Sequence, residues 1–341
     1  MSRVGFCCKW INNPSEVAGL KPSSVDRDLN GRSTTMRWLR EHKGEAEQRQ
    51  WDIMNHNARA ALLLVERVGS LPEHRRMVRL GSEMLQGYTH DEWIPFWKQQ
   101  DVQDHCAKIF APVGEAARRL GVRLSFHPGQ FCVLASVNPG IVERSILEFE
   151  YHADLARWMG YGKTFQDFKI NVHISGQQGP DGIRAAYKRL SLEARNCITI
   201  ENEENSHNLD TCLQLADILP IVLDVHHHWI NSGEYIEPND ERVKRVIDSW
   251  RGVRPAMHYS VSREDILVGH ACDVRPDMAS LLSLGYKKQK LRAHSDFYWN
   301  SALNEWASSF SAEFDIQCES KGKNLSSFAF ANLITQSECE K

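Results

Sequence analysis

The 341-residue chain predicts an α/β fold, a closed (β/α)8 barrel of the TIM type. Three observations carry that expectation. Eight short apolar runs of β-forming residues alternate with longer helix-type stretches, almost no residues are left over, and the first run is not followed by a glycine-rich turn. An open, doubly wound sheet for a dinucleotide would need a GxGxxG-like turn there. The sequence instead reads Phe6-Cys7-Cys8-Lys9-Trp10, so no nucleotide cofactor is expected. At ~150 residues per domain the length would fit two domains, but such barrels reach this size as one unit. No linker divides the chain, so one domain over residues 1–341 is expected, with a frayed tail from about Thr335.

The strand runs are Val4–Cys8, Met77–Glu83, Arg123–His127, Lys169–Ser175, Cys197–Asn202, Ile221–His227, Pro255–Ser260 and Glu313–Glu319. Most are nearly continuously apolar, as for strands buried on both faces. Gln50–Val68 places Trp51, Met54, Ala58, Ala61, Leu62 and Val65 on one side of a helix. Val102–Leu120 and Val142–Met159 repeat the pattern, and Asp210–Leu219 and Glu241–Trp250 give shorter versions. Two connections exceed what a βα unit needs: Ile11–Gln48, polar and rich in Arg, Ser and Asn, and Val261–Phe310.

Composition narrows the function. With 42% hydrophobic and 25% charged residues, disorder, a collagen-like chain and a coiled coil are excluded. The 41 Lys and Arg against 44 Asp and Glu leave a net charge of −3, so a nucleic-acid partner would need a local positive surface. Nine cysteines without a CxxC pair read as reduced thiols of a cytoplasmic protein. No apolar run approaches the ~20 residues that span a bilayer. The Met1–Phe6 start, soon interrupted by Lys9, is too short for a signal peptide.

The informative feature is positional. His127, His173, Glu201, Asp224, His227, His258 and Glu319 fall at or near the C-terminal ends of the third to eighth runs, which share one rim in a parallel barrel. Taken singly, each His reads as a hydrogen-bonded core residue, and Glu201 or Asp224 as a helix cap. Capping does not need imidazoles at several strand ends. Together they read as a site for divalent metal, which compensates imidazole and carboxylate at once. Mixed His and carboxylate donors suit Mn²⁺ or Zn²⁺. Two or three ions bridged by Glu201 and Glu319 would generate hydroxide and clamp a phosphodiester, or shift a hydride on a sugar. Within Asp224-Val225-His226-His227-His228 the local pattern does not choose among the three imidazoles.

Phe126-His127-Pro128-Gly129-Gln130-Phe131, Val172-His173-Ile174-Ser175-Gly176, Ile200-Glu201-Asn202-Glu203-Glu204, Asp224-Val225-His226-His227 and His258-Tyr259-Ser260 resemble the ultraviolet damage endonuclease family in order and spacing. Arg79-Leu80-Gly81-Ser82 with Tyr88-Thr89-His90, Arg292-Ala293-His294-Ser295-Asp296 and Asp315–Lys321 match as well, so the resemblance runs from about residue 4 to 325. It implies a barrel related to endonuclease-IV-type apurinic enzymes. It also implies nicking of DNA immediately 5′ to ultraviolet photoproducts, leaving 3′-hydroxyl and 5′-phosphate ends, with manganese most often and zinc or magnesium as alternatives. The ligand set it implies is His90, His127, His173, Glu201, Asp224, His227, His258, His294 and Glu319, with Glu201, Glu319, Asp224 and His258 nearest the chemistry. The Asp-x-x-His spacing selects His227.

The sequence departs from the family in places. A family lysine two residues before the seventh-strand His is Ala256 here, a lesion-probing Gln-Tyr pair is Gln130-Phe131, and a Tyr and Asn near the first strand are Phe6 and Trp10. The resemblance still assigns Gln130, Phe131, Phe6 and Trp10 to the lesion. Lys287, Lys288, Lys290 and Arg292, with Arg27, Arg32, Arg37, Arg40 and Lys43, offer phosphate contacts on rim connections, or else are solvated loop surface. Trp38 and Trp229 read more readily as core. The expected partner is damaged double-stranded DNA, met by a monomer. The alternatives are an apurinic-site endonuclease, a lesion-binding homologue with reduced activity (prompted by Ala256) and a metal-dependent sugar isomerase.

Overall fold

The computed structural model describes residues 2–13 and 25–339, with side chains to residue 335. Residues 14–24 of the first long connection and residues 340–341 of the tail lie outside the described residues. Eight parallel strands close into a barrel in sequence order: β1 (Val4–Cys7), β2 (Met77–Arg79), β3 (Arg123–Phe126), β4 (Lys169–His173), β5 (Ile198–Glu201), β6 (Ile221–Asp224), β7 (Ala256–Tyr259) and β8 (Asp315–Cys318). Pairing of Val4 with Ile316 joins β1 to β8 and leaves no free edge.

Every strand is shorter than its sequence run, and local chemistry explains the difference at the two ends that matter most. Cys8 adopts a left-handed conformation (φ 68°), which ends β1. Asp224 ends β6 because its carboxylate caps the next helix, accepting from the His227 backbone N–H at 2.7 Å. His226, His227 and His228 therefore lie on the helix Val225–Ser232, not on a strand. The long amphipathic stretches form helices Ala46–Gly69, Gln100–Leu120, Pro139–Trp158 and Glu241–Ser249. Asp210–Leu219 does not make one helix; it divides into the turns Leu209–Cys212 and Leu213–Leu215. The last described helix, Lys323–Cys339, takes in the start of the tail at Thr335. No described helix is long and apolar enough to cross a membrane.

The two faces of the barrel wall differ. Ile170, Val172, Ile198, Ile200, Leu223, Met257, Tyr259 and Ile316 face the helices and belong to the main apolar core. Alternate positions carry Lys169, Asn171, Thr199, Glu201, Asp224, His258, Asp315 and Gln317, all buried. The expectation of strands apolar on both faces thus holds only on the helix side. Some of the inner polar groups satisfy one another: Thr199 Oγ1 donates to Asn171 Oδ1 at 2.8 Å, and Asn171 Nδ2 donates to Glu201 Oε2. At the opposite end, Arg123 and Arg254 bind the buried Asp315 at 2.7 and 3.0 Å, closing the floor.

Helix packing sets one tight tolerance. A Cβ added at Gly114, on the helix Gln100–Leu120, would stand 1.8 Å from the Met159 carbonyl oxygen. Gly114→Ala should therefore lower unfolding free energy by about 1–3 kcal/mol, read from urea melts. An unchanged midpoint and slope would contradict this packing.

Candidate metal centre

Strand register gathers the site. β4 and β5 pair His173 with Glu201, and β6 and β7 pair Asp224 with His258, each at the C-terminal end of its strand or, for His258, one residue before it. His127 and Glu319 follow β3 and β8 directly. Glu201 lies at the middle, with no solvent exposure. Its Oε2 is 3.3 Å from His127 Nε2 and 3.9 Å from His173 Nε2. Its Oε1 is 3.0 Å from His258 Nδ1 and 3.4 Å from His227 Nδ1. Glu319 Oε1 stands 3.3 Å from His258 Nδ1, and His294 Nδ1 is 2.9 Å from the Glu319 carbonyl oxygen.

Two sets of three donors result, His127–His173–Glu201 and Glu201–Asp224–His258, each with its ligand atoms within 4.8 Å of one another. A divalent cation fits the second set by a test internal to the protein. Glu201 Oε1, Asp224 Oδ2 and His258 Nδ1 are all buried without a hydrogen-bond partner. Glu201 Oε1 and His258 Nδ1 lie 3.0 Å apart without the alignment of a hydrogen bond. Three orphaned buried polar atoms on one triad carry a large desolvation cost that a cation removes.

Electrostatics agree. Burial pushes His173 and His258 down to about 4, against the attraction of Glu201, so both imidazoles are neutral and have a free lone pair at neutral pH. Burial alone would raise Glu201, but the charge that His258 and His173 gain in acid, with the His127 and His227 imidazoles close by, holds it well below the usual range. Burial likewise opposes ionisation of Glu319, and Arg79 and His258 outweigh it. Asp224 differs, because burial dominates and raises its carboxyl well above the ordinary value.

The structure sorts the other expected residues. The helix that starts after Asp224 carries His227 back over it, three residues on, where its Nδ1 lies 3.7 Å from Asp224 Oδ2. His226 stacks on Trp229, and His228 turns to Glu234 at 3.8 Å. His294 sits beside the cluster, its ring centre 6.4 Å from that of His227. His90 belongs to neither donor set: Arg40 Nη2 lies 3.4 Å from its Nε2, and the Glu92 backbone N–H donates to its Nδ1 at 3.3 Å. Phe6 and Trp10 correct the expectation of lesion contact. They are buried, and both pack edge-on against Phe328, which follows from their being more apolar than the family's Tyr and Asn. Gln130 and Phe131 are exposed, Phe131 by 84%. Lys287 and Lys290 are open to solvent, whereas Lys288 donates to the Asn231 carbonyl at 2.7 Å and Arg292 to Glu204 at 2.9 Å. Trp229 is core, and Trp38 stacks on His42.

Sequence reasoning passed over two cations inside the barrel. Arg79, on β2, donates to Glu319 Oε1. Lys169, on β4, places Nζ 3.0 Å from His258 Nε2, and burial lowers its amine to about 7. Ala256 is packed with Val222 and Trp250, so the amine beside His258 comes from β4 instead of β7. The alternation Lys169, Asn171, His173 was the available signal.

Comparisons with known proteins point the same way. A family model described as UV-endonuclease UvdE matches residues 23–339. A UV-damage endonuclease of Neurospora crassa is 29% identical over 206 residues, 54% of this chain and 30% of that protein. The chain thus spans about a third of the fungal protein's length. A UV DNA damage endonuclease of Bacillus thuringiensis subsp. konkukian is 23% identical over 305 residues, 86% of this chain and 85% of the relative. In fold, the crystal structure of SacUVDE superposes with a TM-score of 0.72 at 21% identity, covering 99% of both chains. Endonuclease IV from Thermus thermophilus gives 0.52 at 13% identity, covering 82% of this chain and 95% of the other.

Two outcomes follow. Asn171→Leu removes the amide that holds Glu201 and should weaken Mn²⁺ binding roughly 10- to 100-fold by calorimetry; undiminished affinity would contradict this orienting role. The second concerns pH. His152, His173 and His258 are each lowered to about 4 on folding, so between their unfolded value and about 4 the unfolded chain binds more protons. Their stabilisation is present above about 6.5 and is lost as pH falls through that window. Asp224, raised on folding, works in the opposite direction within this window, whereas His227, also raised, acts above it. Urea melts in EDTA should show net stability declining from about pH 6.5 to about 4. Constant or rising stability there would contradict the assignment.

Proposed function

The chain belongs to the UV-endonuclease UvdE family, and from that membership and the shared position of Glu201 we propose a metal-dependent DNA-repair endonuclease that nicks immediately 5′ to ultraviolet photoproducts. The products are 3′-hydroxyl and 5′-phosphate ends. The substrate is distorted duplex DNA, the cations are two or three, manganese by preference, and the enzyme works as a cytoplasmic monomer. The observation that carries the reading is one fully buried carboxylate serving both candidate metal groups.

His127, His173 and Glu201 would hold one cation, and Glu201, Asp224 and His258, with Glu319, a second; His227 and His294 border both. When bound, such cations acidify water and spread the negative charge of a phosphodiester under attack. The protein's own groups do the remaining work. Asn171 and Arg79 fix the Glu201 and Glu319 carboxylates, so the donors need little rearrangement as substrate arrives. Lys287 and Lys290 offset the repulsion between this acidic floor and a DNA backbone. Exposed Gln130 and Phe131 press into the base stack. A lesion already deprived of stacking lowers the few kcal/mol that extrusion costs, so damage is sensed as deformability.

The test uses end-labelled duplexes carrying a pyrimidine dimer, an abasic site or no damage, with Mn²⁺. The wild-type protein should cut 5′ to the dimer. Glu201→Gln should retain its fold by circular dichroism and lose at least ~100-fold in nicking rate, an amount comparable to removal of one electrostatic stabiliser in other enzymes. Cutting of abasic DNA alone, binding without product, or near-full activity in Glu201→Gln would each defeat the proposal.

A further inference from the structure

Among the described residues, two aromatic rings stand open to solvent. Phe131 is 84% exposed and Phe297 50%, whereas every other described Phe, Tyr and Trp is buried or partly buried. Each exposed ring forgoes the burial that the protein gives its other aromatic side chains, and its face is free to stack on a planar partner. Both rings are at the metal end of the barrel. Phe131 lies in the connection after β3 and Phe297 in the connection after β7. Three strands separate β3 from β7 on either side of the closed ring of eight, so the two connections leave opposite sides of the mouth.

Phe297 is also held firmly. The Gly322 N–H donates to the Asp296 carbonyl at 2.8 Å, Lys321 N–H to the Ser295 carbonyl at 3.1 Å, and Ser295 N–H to the Val261 carbonyl at 2.9 Å. These bonds tie the segment to the loop that follows Glu319. The ring edge lies against Gly322, where an added Cβ would come within 3.2 Å of Phe297 Cε1 and 2.6 Å of the Asp296 carbonyl oxygen. One side of the ring is therefore seated on a glycine and the other is open. The nearest charges, Asp296 and Lys321, lie 3.9 Å apart and offset each other, leaving an aromatic face without strong local charge.

Building on the endonuclease reading, we propose that Phe297 is a second base-stacking residue, gripping the duplex from the side of the mouth opposite Phe131. An aromatic face accepts any base, so the contact is independent of sequence. A duplex held at one wedge can pivot about it. A second stacking contact across the mouth fixes which phosphate lies above Glu201. Phe297 acts on the position and affinity of the DNA and touches none of the metal donors.

The test measures fluorescence-anisotropy binding of a duplex with a single pyrimidine dimer, in EDTA, and maps the nick on the same duplex with Mn²⁺. Phe297→Leu keeps the apolar seat on Gly322 but lacks a π face, and Phe297→Tyr keeps that face. Binding should weaken about tenfold or more in Phe297→Ala and Phe297→Leu, within the range for loss of one stacked base, and stay close to wild type in Phe297→Tyr. The nick should spread over neighbouring phosphates in the two weakened variants, with Mn²⁺ affinity by calorimetry unchanged. Wild-type binding by Phe297→Ala or Phe297→Leu overturns this inference alone, provided that Phe131→Ala is weakened. A wild-type protein that neither binds nor cuts the dimer duplex overturns the endonuclease reading and this inference with it.

Discussion

A carboxylate buried without access to water constrains everything around it. Glu201 ends β5 inside a closed barrel, where an isolated charge would be prohibitively costly. The protein answers with Asn171 on one oxygen and imidazoles on both sides, yet leaves Oε1 without a hydrogen bond. The neutral state of His173 and His258, the raised proton affinity of Asp224 and the cations Arg79 and Lys169 are all consequences of packing such a group here. The neutral imidazoles keep lone pairs free for a divalent ion, whereas Asp224 must release its proton to join them.

The barrel makes this arrangement possible by treating its two wall faces differently. Stability comes from the helix side, where β-branched and aromatic residues fill the core. The inside is released from that duty and is polar, with Asp315 bound by its arginines at one end, and Lys169 on His258 and Asn171 on Glu201 toward the other. A polar interior of this kind specifies one geometry only if its members are satisfied, and Glu201 Oε1, Asp224 Oδ2 and His258 Nδ1 are left unsatisfied where cations are expected.

Much of this was legible in the sequence, for physical reasons. Eight β-type runs and polar residues at their ends give the barrel and its active rim, because parallel strands direct all their C-termini one way. The converging group His127, His173, Glu201, Asp224, His227, His258 and Glu319 follows from the same geometry. What lay beyond reading depends on where chains bend. The β6 boundary is decided by Asp224 acting as a cap, and that choice sends His227 inward and His226 and His228 elsewhere. Phe6 and Trp10 gave no sign that they pack on Phe328, at the far end of the chain. Lys169 and Arg79 escaped notice because they precede the strand ends, although period-two alternation along β4 exposes Lys169 once strand faces are considered. His90, which the family resemblance supplied, rests against Arg40.

The account stands on Glu201 being shared by two cations. Anomalous diffraction at the manganese edge, from crystals soaked in Mn²⁺, tests that claim directly. Two peaks flanking the Glu201 carboxylate, one toward His127 and His173 and the other toward Asp224 and His258, are the result the account predicts. A single peak remote from Glu201, or none at saturating Mn²⁺, would contradict it.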